Sequence, residues 1–320
     1  MVESKGDPIG ERWLVRDDEA GARVDGFLAK RAIFPSTAAA RRAIASGIAR
    51  VNGRAAKKGV RLAAGDVVSV EEGELTSAIL QPTPTLELPV LHLDDMIVAL
   101  DKPPNLASHP LRPSDGPTVA SALVAMFPEC THASPDPREG GLAHRLDIGT
   151  SGVLLAARSQ EAWYRLREAL ASASCEKTYL AEVQGSFPLA EDVSDPFIAP
   201  GPVPSSFVIE AAVGRQGRRS GKVQLGAGRQ PLPARTEVRL VEKRENSTLA
   251  EAKLARGRAH QVRAHLAHLG TPVVGDAVYG NAAEGSRLHL HAWAVSFVHP
   301  GTGQLMRIES PLPAWAVSRS

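Results

Sequence analysis

Aromatic residues are scarce in this 320-residue chain: four Trp, three Tyr and seven Phe, 4% of the total. A general single-strand nucleic-acid binder needs rows of stacking rings, so the sequence argues against that class. Cysteine is scarcer still. Cys130 and Cys175 form neither a CxxC pair nor a disulfide framework, which suits a reducing cytosol. No apolar run approaches the roughly 18 residues that a membrane-spanning helix needs. Residues Met1 to Asp7 are mixed in charge and lack the apolar stretch of a secretory leader, so a cytoplasmic protein is expected. No repeat at a period of about 20–50 residues is visible, which sets aside solenoids and propellers. Net charge is small as well: 37 basic against 35 acidic residues leave +2, which by itself predicts no charged partner.

What is present is an ordinary globular balance, 43% apolar and 22% charged, which excludes wholesale disorder. At about 100–200 residues per domain, the length suggests two domains. The charge is not evenly spread. Residues 20–61 hold ten basic side chains against one acid, Asp25, and residues 212–263 hold thirteen against four. Each stretch is therefore +9, and the other 226 residues carry −16. Segregation of this size is the electrostatic footprint of a polyanion binder, with two solvated basic faces as the plainer alternative.

The first stretch reads as an α-plus-hairpin unit. Val24, Phe27, Leu28 and Ile33 recur at near-helical spacing, and Pro35-Ser36-Thr37 separates that helix from a second over Ala38 to Ser46, stopped by Gly47. A short strand over 48–51, an Asn52-Gly53 type I′ turn and a further strand pair over Arg61–Val70, broken at Gly65-Asp66, follow. The pattern R-V-D-x-F-L, A-R-R-A-I-A-S-G-I-A-R-V-N-G-R and A-G-D-V-V-S-V resembles a small RNA-binding module first met in a ribosomal small-subunit protein. That resemblance covers about residues 20–72 and implies that Arg41, Arg42, Arg50 and Arg54 face structured RNA. Gln81-Pro82-Thr83-Pro84-Thr85 and Leu88-Pro89 read as an extended spacer rather than a packed element. The expected division is thus 1–80 for the module, 81–89 for the linker and 90–320 for the remainder. Beyond the linker, strands and helices mix without βαβ alternation, which points to an α+β domain on a mixed sheet. Pro- or Gly-rich connectors at 103–117, 128–141, 196–204 and 214–233 read as surface loops.

Chemistry concentrates in Gly141-Leu142-Ala143-His144-Arg145-Leu146-Asp147-Ile148-Gly149-Thr150-Ser151-Gly152, a small-residue loop before an apolar strand over Val153–Ala157. Asp147 there would be aimed at a cleft, although a lone H-R-x-D is no more than a turn cap. It is not alone. Leu100-Asp101-Lys102-Pro103, Lys177-Thr178-Tyr179, Gly257-Arg258-Ala259-His260-Gln261-Val262-Arg263 and Gly270-Thr271-Pro272-Val273-Val274-Gly275-Asp276-Ala277-Val278-Tyr279-Gly280 flank it in order. Together these resemble the RluA-type RNA pseudouridine synthases over about residues 91–312.

The resemblance implies a mixed, mainly antiparallel pseudouridine synthase fold. It also implies isomerisation of a flipped-out uridine in structured RNA, ribosomal RNA ahead of transfer RNA. That reaction involves neither redox change nor net hydrolysis, so no cofactor and no metal are expected. An aspartate is ionised at neutral pH and can serve as nucleophile or base, the role the family motif gives Asp147. A helix over Ala259–Leu269 would place Arg263 on the border of its apolar stripe, where a guanidinium needs an acidic partner. The family names Asp147 as that partner. Tyr179 matches the tyrosine that stacks on the target base, and Arg145 the arginine that fills the vacated stack. His144, Lys102, Arg258 and His260 are expected on the substrate side. His260, His265, His268, His289 and His291 lack the spacing of a metal set.

Two positions depart from the family pattern: Asn105 replaces a glycine, a residue that tolerates the left-handed region, and Arg256 replaces a threonine. The competing class is a non-catalytic RNA-binding or folding factor on the same scaffold, against which the joint presence of Asp147, Tyr179 and Arg263 speaks. A metal-dependent nuclease would need paired carboxylates near the histidines.

Overall fold

Two short helices pack together near the start of the structure, α1 (Val24–Lys30) and α2 (Thr37–Ser46). Their i, i+3, i+4 spacing lays Val24, Phe27 and Leu28 against Ala40, Ala43 and Ile44 in one core. Charge clamps the same junction: Asp25 is buried and accepts hydrogen bonds from Arg23 at 3.0 and 3.2 Å and from Arg41 at 2.5 Å. Those bonds, Arg23's first, hold the Asp25 carboxyl far below its ordinary range despite burial. Beside the helices lies a four-stranded antiparallel sheet of β1 (Arg12–Leu14), β2 (Ala49–Val51), β3 (Arg54–Ala55) and β4 (Val67–Val70), in the order β1-β4-β2-β3. Asn52 and Gly53, at φ +52° and +72°, make the tight turn between β2 and β3. The computed structural model describes residues 12–317 apart from 32, 35–36, 71–79, 111–115, 137, 189–192 and 217–221. Pro35, Ser36 and the side chain of Arg42 fall outside the described residues.

Three expectations for this region change. The sheet begins at Arg12, because β1 pairs with β4 and brings Trp13 and Val15 into the core. Arg61 forms only an isolated bridge with Arg23 instead of a strand, since left-handed glycines at 59 and 65 bend the chain on either side. The linker is extended but not a free spacer. Leu80, Leu86 and Leu88 pack into the core of the following unit, and Thr83 bonds Ser121 through both backbone and hydroxyl.

The remaining strands are, in chain order, β5 (Val90–Leu93), β6 (Ile97–Lys102), β7 (Ser151–Ala157), β8 (Glu176–Gln184), β9 (Ile198–Pro200), β10 (Ser206–Glu210), β11 (Val213–Arg215), β12 (Val223–Leu225), β13 (Arg229–Leu232), β14 (Arg235–Lys243), β15 (Ser247–Leu254), β16 (Leu290–Val298) and β17 (Leu305–Glu309). Ten of them form one sheet in the order β5-β6-β7-β16-β8-β15-β14-β10-β9, with β17 paired to β16. Every pairing is antiparallel except β7 with β16, so the sheet is mixed and mainly antiparallel, and the fold is α+β.

Strands β6 and β7 read as unbroken apolar runs because both faces are covered. Val98, Leu100 and Leu154 meet α3 (Val119–Met126) on one side. Ile97, Ala99 and Leu155 meet α4 (Gln160–Ala171) on the other. A third helix, α5 (Gln261–His268), seats Val262 and Leu266 on Val238 and Ala252 of the far half of the sheet. It starts two residues later than its apolar spacing predicts, because His260 takes a left-handed backbone (φ +54°) at its N-cap. Residues 214–233, expected as a loop, contain most of a three-stranded ribbon, β12-β11-β13. Val213, Val223 and Leu225 pack with Ala264 of α5, and glycines at 226 and 228 supply positive φ for its turn. Among the described residues no helix is long and apolar enough to cross a membrane.

Candidate active site

The segment from Ala143 to Thr150 runs into β7, the central strand that pairs in parallel with β16. Gly152 (φ +108°) is required there: a Cβ would come within 2.2 Å of the Ala292 carbonyl oxygen on β16. Around it the loop is pinned at several points. Ser108, buried, donates its hydroxyl to Leu146 O at 2.8 Å and accepts Leu146 N–H at 3.1 Å. Thr150 N–H closes on Asp147 O at 3.0 Å.

Lys102 lies beneath this loop with no exposure at all, and its ammonium donates to Pro103 O at 2.9 Å and to Ile148 O at 3.0 Å. Burial pulls its pKa down to about 7 against the opposing charge of Asp147. His144 also turns inward. Its Nε2 accepts the Leu155 N–H at 3.1 Å, so that nitrogen carries no proton, and burial lowers its pKa to about 3. The ring is therefore neutral in the folded chain.

A cavity of about 380 Å³ opens beside the loop. Of the residues singled out from the sequence, His144, Arg145, Asp147, Tyr179, Arg258, His260 and Arg263 line it. Lys102 does not, and Arg41, Arg50 and Arg54 lie on the separate four-stranded unit. Arg145 is exposed on the rim and Asp147 is partly exposed. Tyr179 comes from β8, and burial, with the charge of Asp147 adding to it, pushes its phenol well above the ordinary tyrosine range, so it stays protonated. Asn105 adopts φ +62°, the left-handed turn in which asparagine can stand for glycine. Arg256 is exposed and donates to Ala171 O at 3.1 Å.

Arg263, on α5, is only 8% exposed, and two aspartates bracket it. Its Nη1 donates to Asp147 Oδ2 at 3.0 Å, while Nε and Nη2 fork onto Asp276 at 2.7 and 2.8 Å. Asp276 is fully buried and also accepts the N–H groups of Val278 and Tyr279 at 2.8 and 3.0 Å. Burial would raise its pKa, but Arg263 and these amides outweigh that and hold it lowered. Burial likewise opposes the charge on Arg263, and Asp276 and then Asp147 override it, so the guanidinium stays charged. His260 Nε2 approaches the same Asp147 Oδ2 at 3.7 Å. The result is a carboxylate with Oδ2 engaged by a fixed cation, on a residue that lines the cavity.

Two residues of this cluster had no role from sequence reasoning, Asp276 and Tyr279. The available signal was chemical: an arginine on a buried stripe facing one catalytic carboxylate still has donors to satisfy, and the nearest later motif carries an aspartate after Gly275. That glycine (φ +80°) is itself required, since a Cβ would meet Arg287 O at 1.8 Å. Among the described residues no three His, Cys, Asp or Glu side chains gather as a metal set.

Comparison with known proteins bears on this geometry. Residues 96–268 match the model of the RNA pseudouridylate synthase family. The ribosomal large subunit pseudouridine synthase C of Yersinia pestis is 32% identical over 95% of this chain and 93% of its own length. An uncharacterized RNA pseudouridine synthase of Mycobacterium bovis is 37% identical over 94% of each. Among solved structures, human RNA pseudouridylate synthase domain containing 1 superposes with a TM-score of 0.53 at 22% identity, covering 73% of this chain and 86% of that one. At that identity the likeness concerns the fold.

Proposed function

The chain belongs to the RNA pseudouridylate synthase family, and from that premise we propose that Asp147 isomerises a uridine flipped into the cavity. The observation that carries this reading is the half-engaged carboxylate: Oδ2 is held by Arg263 at 3.0 Å inside a cavity that Tyr179 also lines. In the reaction the C1′–N1 bond of uridine breaks, the uracil turns, and a C1′–C5 bond forms. C5 releases its hydrogen as a proton and N1 gains one, so atoms and charge balance without an oxidant. Asp147 serves by adding to the base, by attacking the sugar, or by removing a sugar proton on a glycal route. Each route needs an ionised, oriented carboxylate, and a buried arginine supports it.

Tyr179, which lines the cavity, stacks its ring on the flipped uracil, and its raised pKa keeps the phenol protonated. Arg145, exposed on the rim, fills the gap the base leaves, and Arg258 reaches the RNA backbone. Lys102 serves the site from beneath, by holding the loop through Ile148, rather than by touching RNA.

The substrate is structured ribosomal RNA. The name of the 32%-identical relative supports this, as does the +9 stretch within a small helix-and-hairpin unit. Residues 1–80 hold the RNA, through Arg41, Arg50 and Arg54 among others, and residues 90–320 carry out the chemistry. The cytoplasm fits a ribosomal RNA substrate and two buried, unpaired cysteines.

The test is tritium release from C5-labelled uridine in ribosomal RNA and, separately, transfer RNA. Wild-type chain releases label from ribosomal RNA, and Asp147→Asn lowers the rate by about 10⁴-fold or more while RNA affinity holds within about twofold. Undiminished release by the variant overturns the role of Asp147. Release from transfer RNA alone overturns the substrate.

A further inference from the structure

The His260 ring stands between two oxygens. Its Nε2 is 3.7 Å from Asp147 Oδ2, and its Nδ1 is 3.2 Å from the Tyr279 hydroxyl. That hydroxyl already accepts the Val223 N–H of β12 at 2.8 Å, which leaves its own proton for the imidazole. A neutral imidazole that accepts at Nδ1 carries its proton on Nε2, the nitrogen facing the aspartate. Neighbouring contacts frame this arrangement. His260 occupies the left-handed region, uncommon for a residue with a Cβ. Tyr279 stands edge-on to the imidazole with centroids 5.8 Å apart, and the Arg263 guanidinium lies 5.3 Å from the tyrosine ring.

We propose that Tyr279 is a positioning residue that keeps His260 in its Nε2–H tautomer, so that His260 and Arg263 both serve Oδ2 of Asp147 and Oδ1 is the reacting oxygen. The inference rests on Asp147 as the catalytic carboxylate. At 3.7 Å the imidazole is just outside hydrogen-bond reach, and such contacts tighten when substrate seats. The opposite tautomer would set a nitrogen lone pair against the carboxylate. An imidazolium would instead form an ion pair with it and blunt its nucleophilicity. The groups facing His260 are Asp147 and Asp276, which favour its protonation, Arg263 and Arg145, which oppose it, and the Tyr279 phenol; burial tips the balance to the neutral ring.

Two measurements on the full chain test this. Long-range ¹H–¹⁵N correlation spectra, with His260 assigned by its loss in His260→Gln, report the tautomer in the wild type without any other substitution. Single-turnover tritium release across pH is then compared between wild type and Tyr279→Phe, which keeps the ring and removes the hydroxyl. The expected wild-type signal is Nε2–H. In Tyr279→Phe it shifts to Nδ1–H or a mixture, and the rate falls about 10-fold at unchanged RNA affinity. The acid limb of the profile moves to higher pH, because a hydrogen bond that favoured the neutral ring is gone. An Nδ1–H signal in the wild type, or an unshifted profile and tautomer in Tyr279→Phe, overturns the proposal. Full activity in Asp147→Asn removes the reading beneath it, whereas an inactive Asp147→Asn beside a wild-type-like Tyr279→Phe defeats this inference alone.

Discussion

The two basic stretches carry the same formal charge, +9 each, and the fold treats them differently. In residues 20–61 the single acid, Asp25, is shared by Arg23 and Arg41, and Arg41 still keeps 53% of its side chain exposed. Arg54 is exposed on β3. In residues 212–263 three arginines are met by carboxylates on their own or on other strands: Arg235 by Glu210 and Glu237, Arg239 by Glu251, Arg244 by Glu182 and Glu242. The stretch ends at Arg263, buried between two aspartates. Charge counted along a sequence therefore overstates the field of the second stretch and misses its chief use. An exposed arginine contributes attraction that salt can screen, while a buried one fixes the geometry of its partners.

Substitutions can break this contrast, and the largest effect is expected at Asp276. Asp276→Asn takes the fork from a fully buried arginine, and chemical denaturation should show a loss of about 3 kcal/mol with tritium release reduced about 100-fold. A variant as stable and active as the wild type would mean that Asp147 alone holds Arg263.

The next effect concerns pH. The folded chain keeps His144 neutral, with a pKa near 3, whereas an unfolded histidine titrates near 6.5. Between those values the unfolded chain takes up a proton that the folded chain refuses, so stability falls as pH drops from about 6.5 towards 3. The loss reaches about 3 kcal/mol at pH 4. His144→Gln, whose amide oxygen can still accept the Leu155 N–H, should flatten the melting temperature against pH over that window. Parallel curves for the two proteins would contradict the assignment.

The smallest effect is at the exposed stretch. Arg54→Ala should lower the slope of log affinity for ribosomal RNA against log salt by about 1, with the reaction rate on bound RNA unchanged. An unchanged slope would remove Arg54 from the RNA-facing surface.

Local features of the fold were legible. The helix pair follows from apolar spacing, and the β2–β3 turn from Asn52-Gly53, since both depend on neighbours in sequence. The three-residue β1 was not, because its pairing with β4 spans more than fifty residues and its own pattern is too short to read. The insertion of β16 between β7 and β8 is equally non-local. The ribbon over 213–232 hid behind its glycines and prolines, which mark turns as readily as loops. At the site, the motifs singled out seven of the residues that line the cavity, Asp147, Tyr179 and Arg263 among them. Lys102 was expected on the substrate side from its motif, and nothing local says that two backbone carbonyls will bury it. Asp276 stayed without a role because the fork onto Arg263 exists only once a turn folds back on α5.

The contrast between the stretches is tested most directly by single-turnover tritium release from ribosomal RNA over a range of enzyme concentrations, with Arg263→Gln and Arg54→Ala side by side. Arg263→Gln should lower the plateau rate about 100-fold and leave the half-saturating concentration within about twofold. Arg54→Ala should leave the plateau unchanged and raise the half-saturating concentration about 2- to 5-fold. A wild-type plateau in Arg263→Gln, or a matching fall of the plateau in both variants, would contradict the division between a buried arginine that serves the chemistry and an exposed one that holds the RNA.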